Sequence, residues 1–114
     1  MSWSADHKME ISDFQKGMTA YQSGDFATAL REWKPLAEQG YARAQYNLGV
    51  MYALGKVVPK DYVYAHMWGN LGASNGNEKG GKLRDFVAKE MTPTDISTAQ
   101  KLARECGRKK YKGC

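Results

Sequence analysis

Apolar residues recur along this chain at spacings of three and four, broken at regular intervals by polar and glycine-containing stretches. From Phe14 they run through Met18 and Tyr21 and then, past Gly24, through Phe26, Ala29, Leu30, Trp33, Leu36 and Ala37. That spacing puts them on one face of each of two helices. Ala44, Leu48, Met51 and Tyr52, then Tyr62, Ala65, Trp68, Leu71 and Ala73, predict a second pair, and residues 78–91 continue helically through Leu83, Phe86, Val87 and Met91. Ser12-Asp13-Phe14-Gln15 has the capping-box pattern that satisfies orphan backbone donors at a helix start, so residues 1–12 are expected to be a loose arm. Thr92, Pro93 and Asp95 supply an N-cap, a proline in the first turn and an acid near the helix N-terminus, predicting a last helix from Pro93 to about Arg108. Gly24, Gly40, Gly55 and Gly76 fall at helix ends, where a residue free to take positive φ is most useful. Gly80-Gly81 stands where the fifth helix should begin; each Gly costs about 1 kcal/mol relative to Ala, so that turn is expected to fray. No sustained period-two alternation occurs, and no strand is expected.

The two helical pairs are copies. Asp25, Phe26, Ala29, Ala37 and Gly40 reappear as Asp61, Tyr62, Ala65, Ala73 and Gly76, an offset of 36 at all five positions. Tyr21 matches Tyr52 at an offset of 31, because the second copy carries a turn five residues longer, in Gly55-Lys56-Val57-Val58-Pro59-Lys60. A fixed period in this range is the mark of a helical repeat array. The chain divides into units at 13–40 and 41–76, a degenerate third unit at 77–110 and a short tail at 111–114. The predicted class is all-α, an α-solenoid of antiparallel helix pairs with about six helices. Such folds bind many partners and do not name them.

At 114 residues the chain is one domain long and can bury roughly two-thirds of the surface of its unfolded form, without metal or cofactor. Its 42% hydrophobic and 25% charged composition argues against disorder. No apolar run approaches the roughly 18 residues of a membrane span. Residues 1–77 hold seven Lys/Arg and seven Asp/Glu, while residues 78–114 hold ten against five, so the whole net charge of +5 lies in the last third. Much of it sits in Arg108, Lys109, Lys110 and Lys112, where cations complement a helix C-terminus. The plain reading is a solvated helix end; the other is an anionic partner. Two cysteines, Cys106 and Cys114, cannot make a structural zinc site alone. A flexible tail could fold back and bring them into bonding range. A disulfide is expected in an oxidising compartment and free thiols in the cytosol. Met1 to Lys8 lacks a secretory core, so the chain as written would stay cytoplasmic; a mature exported protein that had lost its leader would look the same.

The pattern Ala44-x3-Leu48-Gly49-x-Met51-Tyr52-x2-Gly55-x5-Asp61-x3-Ala65-x2-Trp68-x4-Ala73-x2-Gly76 resembles the Sel-one-like repeat, a relative of the tetratricopeptide repeat common in bacterial and eukaryotic adaptor proteins. Residues 41–76 match a full unit. Residues 13–40 match a looser one in which Trp33 sits one position late. The Met91-Thr92-Pro93 turn with Ala99-Gln100-x-Leu102-Ala103-Arg104 is similar to the capping helix of bacterial members. Two departures stand out: Met18 where the family prefers Gly, and Gly80-Gly81 where it prefers Ala. The resemblance implies a right-handed superhelix in which the first helix of each pair lines a concave groove. Members mostly scaffold or bind proteins. Many bacterial ones are exported and disulfide-stapled, which would suit Cys106 and Cys114, and a few are linked to β-lactam binding.

Nothing else in the chain points to chemistry. There is no Ser-x-x-Lys, His7 falls in the predicted arm, and His66 has no His, Cys or acid three or four residues away, so it reads as a structural or surface residue. The glycines follow no strand and build no phosphate loop. No catalysis, cofactor or metal is expected. Tyr21, Phe26, Trp33, Tyr52, Tyr62 and Trp68 read as core. On the register implied by the resemblance, Arg43, Tyr46, Asn47 and Val50 turn toward the groove, with Gln15, Lys16 and Thr19 aligned in the first unit and Lys79, Lys82 and Phe86 in the third. Their cations, amide and aromatics suit an extended peptide bearing a carboxylate; the plain alternative is a solvated helix face. The expected function is a monomeric protein-interaction module binding a peptide or protein segment, acidic where the cations meet it. A basic-tail binder of an anionic surface or nucleic acid is the alternative, with nucleic acid not favoured, and a β-lactam-binding enzyme ranks third.

Overall fold

The same local device closes three of the turns. At the ends of the first, second and fourth helices, Gly24, Gly40 and Gly76 take φ of 88°, 88° and 103°. The residue after each glycine then returns its N–H to a carbonyl five residues back: Asp25 to Ala20 at 2.8 Å, Tyr41 to Leu36 at 3.0 Å, and Asn77 to Gly72 at 2.9 Å. This is the Schellman closure. The returning residue is also the N-cap of the next helix, so the turns are as short as two helices allow. Asp25 accepts from the N–H of Thr28 at 3.2 Å and Asp61 from that of Tyr64 at 3.1 Å. The repeated aspartates are therefore repeated caps.

The computed structural model describes residues 5–114, with side chains from Ser12 onward. It is all-α: α1 (Ala5–Gln22), α2 (Phe26–Glu38), α3 (Ala42–Leu54), α4 (Tyr62–Ser74), α5 (Glu78–Ala88) and α6 (Pro93–Arg108), with no strand among the described residues. α1 begins well before Ser12, so the predicted arm at 1–12 is corrected: residues 5–12 are helical, and residues 1–4 lie outside the described part. Residues 5–12 contain neither Gly nor Pro, and without a breaker a cap-like Ser becomes an interior residue. The insertion at 55–60 is a loop, as its composition predicts; there Val57 stands at φ 69°, a rare conformation for a β-branched residue.

α1 pairs with α2 and α3 with α4, while α2 packs on α3. The third pair differs. α5 lies against α4 and α3, and α6 lies against α4; α5 and α6 barely approach one another, so the last two helices do not form a hairpin of the expected kind. Trp33 and Trp68 are 1% and 2% exposed at the centre, with Phe14, Leu36, Leu48, Met51, Met67 and Leu71 around them. Of the other aromatics expected in the core, Tyr21, Phe26 and Tyr52 are half-buried against it, whereas Tyr62 is half-buried outside it, with the Lys60 ammonium 5.0 Å over its ring.

Glycines inside the helices set the spacing between them. A methyl added at Gly49 of α3 would stand 3.1 Å from the Ala65 carbonyl and 3.2 Å from the Gly69 nitrogen of α4. One at Gly69 would stand 2.8 Å from the Gly80 carbonyl of α5. One at Gly80 would run into the Gly69 carbonyl and stand 2.9 Å from the Ala73 nitrogen. Gly80 is thus a contact, and the expected fraying of this turn is corrected: the Asn77 side chain accepts from the N–H groups of Lys79 and Gly80 at 2.9 and 3.3 Å, and Gly80 is buried. In the first pair the indole of Trp33 lies across Gly17, where a methyl would stand 2.6 Å from Cδ1, and its Nε1–H donates to the Phe14 carbonyl at 3.3 Å. Trp33 one position late and glycine one position early are matched departures from the second copy.

The tail is also corrected. Tyr111 and Cys114 lie against the core while Lys112 and Gly113 stay exposed, and Cys106 and Cys114 are joined by a disulfide. The Tyr111 ring rests on Gly40, its hydroxyl bonds to the Asn75 amide at 3.2 Å, Asn75 donates to Gln45 Oε1 at 2.9 Å, and Gln45 donates to the Ala37 carbonyl at 3.0 Å. Fully buried Gln45 is satisfied by this chain of bonds, which ties the ends of α2, α3 and α4 to the C-terminal loop.

Ala in place of Gly normally stabilises a helix by about 1 kcal/mol. Gly80→Ala should instead lose about 1–3 kcal/mol, because its methyl meets backbone that cannot rotate away. Gly81→Ala, whose methyl would find only Arg84 at 3.5 Å and Ala73 at 3.7 Å, should keep the ordinary gain. Thermal melts of the two variants, moving in opposite directions from the parent, check this.

Candidate functional site

α1, α2 and α3 meet around a recess of about 210 Å³ lined by Met18, Tyr21, Trp33, Tyr46, Asn47 and Val50. α1 supplies Met18 and Tyr21 one turn apart, Trp33 enters from α2, and Tyr46, Asn47 and Val50 present a single row of α3. The Tyr21 ring is held from two sides, at 5.1 Å from Phe26 and 5.7 Å from Trp33. The wall is therefore a braced aromatic surface. The recess is open to solvent and large enough for one or two side chains, well below the size of a drug-like ligand pocket.

Its amide is Asn47, whose Nδ2 donates, among the described residues, only to the Met18 sulfur, at 3.8 Å. A thioether is a weak acceptor, and that contact is readily exchanged for a peptide carbonyl. Arg43, one turn before Asn47, lays its guanidinium 4.3 Å over the Phe14 ring and is exposed. Stacking restricts the side chain while leaving its charge free, and no ion pair engages it among the described residues.

The structure thus brings Tyr46, Asn47 and Val50 into one recess with Arg43 beside Phe14. Lys16 and Thr19 lie on a shallow exposed strip of α1 with Ser12, Gln15 and Ala20, and Lys16 is 3.9 Å from Asp13. Lys79, Lys82 and Phe86 are exposed on α5 and line neither hollow; Phe86 is 65% exposed. Met18, Tyr21 and Trp33 are site residues that sequence reasoning passed over, the two aromatics because a core stripe and a recess floor share one hydrophobic signature. Met18, standing where a repeat glycine is expected, was the available signal. Among the described residues no three His, Cys, Asp or Glu gather to hold a metal, and no helix is long and apolar enough to cross a membrane.

One buried titratable group lies apart from the recess. His66 of α4 is 3% exposed, and its Nδ1 has no hydrogen-bond partner among the described residues. Its pKa is lowered from 6.5, first by burial and then by Arg84, with Asp85 opposing. No family model matches the chain, and no curated protein matches it significantly.

A histidine with a folded pKa below its unfolded one takes up its proton more readily when unfolded, so its neutral form favours the fold at high pH. Stability should be constant above about 6.5 and fall as pH drops below it toward the folded value. Asp25 and Asp85, lowered from 3.8 chiefly by hydrogen bonds from Thr28 and Arg84, act in a more acidic window. Urea midpoints measured between neutral pH and pH about 5 should show the loss in the parent and its absence in His66→Leu.

Proposed function

We propose that this protein is an interaction module of the Sel-one-like repeat type that holds a peptide or protein segment against α1 and α3, with no chemistry of its own. The observation that carries this reading is the braced recess of Met18, Tyr21, Trp33, Tyr46 and Val50 with the weakly held amide of Asn47 and, at its edge, the stacked cation of Arg43, which is unpaired among the described residues. An apolar side chain of the partner enters the recess, Asn47 takes a backbone carbonyl, and Arg43 takes a carboxylate. Buried aromatic anchors and a desolvated Arg are the usual centres of binding energy at interfaces. Lys79, Lys82 and Phe86 extend the surface along α5 for a longer segment, as the helical stacking of a superhelical array would place them.

Selection from a random peptide display library on the immobilised protein should return sequences pairing a large apolar residue with an acid. Tyr46→Ala, Asn47→Ala and Arg43→Ala should each weaken the selected peptides roughly tenfold, about 1.4 kcal/mol, in fluorescence anisotropy. Affinity unchanged in all three, with a native circular dichroism spectrum, would remove the recess from the function.

A further inference from the structure

Lys101, Arg104, Arg108, Lys109, Lys110 and Lys112 are all exposed, Glu105 is the only acid among residues 101–112, and no ion pair engages any of the six among the described residues. Lys101, Arg104 and Arg108 follow at spacings of three and four, on the side of α6 opposite its buried Ala99, Ala103 and Cys106. The other three continue into the loop beyond. α6 packs on α4 and takes no part in the recess between α1, α2 and α3.

Like charges at this density repel, and a stretch that served only to be solvated would spread its cations on a loose end. This chain gathers them. The disulfide between Cys106 and Cys114 closes the loop, Tyr111 is seated on Gly40 and bonded to Asn75, and the Gly113 N–H donates to Glu38 at 3.4 Å. Lys110 and Tyr111 are held at φ of 52° and 68°, in the left-handed region that side chains resist. Backbone held against its preference is found where a surface must keep one shape.

We propose that this clasped ridge docks the protein onto an anionic phospholipid bilayer, electrostatically and without insertion, leaving the recess free. Two observations select that partner over other polyanions. The number of cations is that of the polybasic segments which attract acidic lipid headgroups. The disulfide persists in oxidising compartments, which are bounded by membranes and do not hold the nucleic acid of the cell. The ridge also lacks the exposed aromatics on which single-stranded bases stack, since the large apolar side chains most exposed in the described part are Leu54, Val57 and Phe86, on other elements.

The test is co-sedimentation of the full, oxidised chain with phosphatidylcholine vesicles, with and without about one-third phosphatidylglycerol. Binding is expected only with the anionic lipid and should fall steeply with salt. Replacing Lys101, Arg104 and Arg108 together by Ala should weaken it roughly a hundredfold, about fivefold per charge. The triple change Lys109→Ala, Lys110→Ala and Lys112→Ala serves as a second variant should the first lose its helical spectrum. Arg43→Ala should leave vesicle binding as it was. Equal binding to neutral vesicles, full binding by a folded ridge variant, or displacement from the vesicles by an equal charge concentration of duplex DNA would each overturn the proposal.

Discussion

The close approach of α4 to its neighbours governs this structure. Gly49, Gly69 and Gly80 lie where three helices meet, so the backbone of α4 touches that of α3 at Gly49 and that of α5 at Gly80, with the Leu83 side chain of α5 closing against Gly49. Gly72 extends the seam toward the other end of α3, where a methyl would stand 3.2 Å from the Ala42 carbonyl. Backbones this close bring the flanking side chains into register, and Trp68, Met67 and Leu71 fill the space that remains on the other sides of α4. The helical propensity sacrificed at each glycine is offset by dispersion attraction between the closely packed backbones along the whole seam.

The first pair solves the same problem differently. Trp33 lies on Gly17, its N–H is satisfied by the Phe14 carbonyl, and its ring forms a cluster with Phe14 and Tyr21. A large ring over a glycine keeps α1 and α2 farther apart than a backbone contact would, and the recess opens beside that cluster. The surface proposed to bind a partner is therefore a consequence of the packing that distinguishes the first helix pair from the second. It is bounded by aromatics that cannot move without disturbing the core.

At the opposite extreme of the chain, the C-terminal loop acts as a tie. Buried Gln45 would be costly if left unpaired, and its partners come from Ala37 and Asn75, with Tyr111 completing the network. Closing the loop by a disulfide reduces the freedom of the unfolded tail and fixes Tyr111 where the network needs it. The order imposed on the neighbouring lysines follows from the same contacts.

The sequence by itself determined the class, the number of helices and the position of nearly every turn. Those features rest on local chemistry: Asp25 and Asp61 cap the helices that follow them, Gly24, Gly40, Gly55 and Gly76 take positive φ, and Thr92 with Pro93 starts α6 where expected. Tertiary structure decided what local chemistry cannot express. Gly80 reads as a weak helix start until Gly69 is seen against it. Met18 reads as a misplaced core residue until Asn47 and Tyr46 complete a recess, and the tail reads as loose until Gly40 receives Tyr111. In each case the deciding partner is distant in the chain, and only the folded arrangement puts the two in contact.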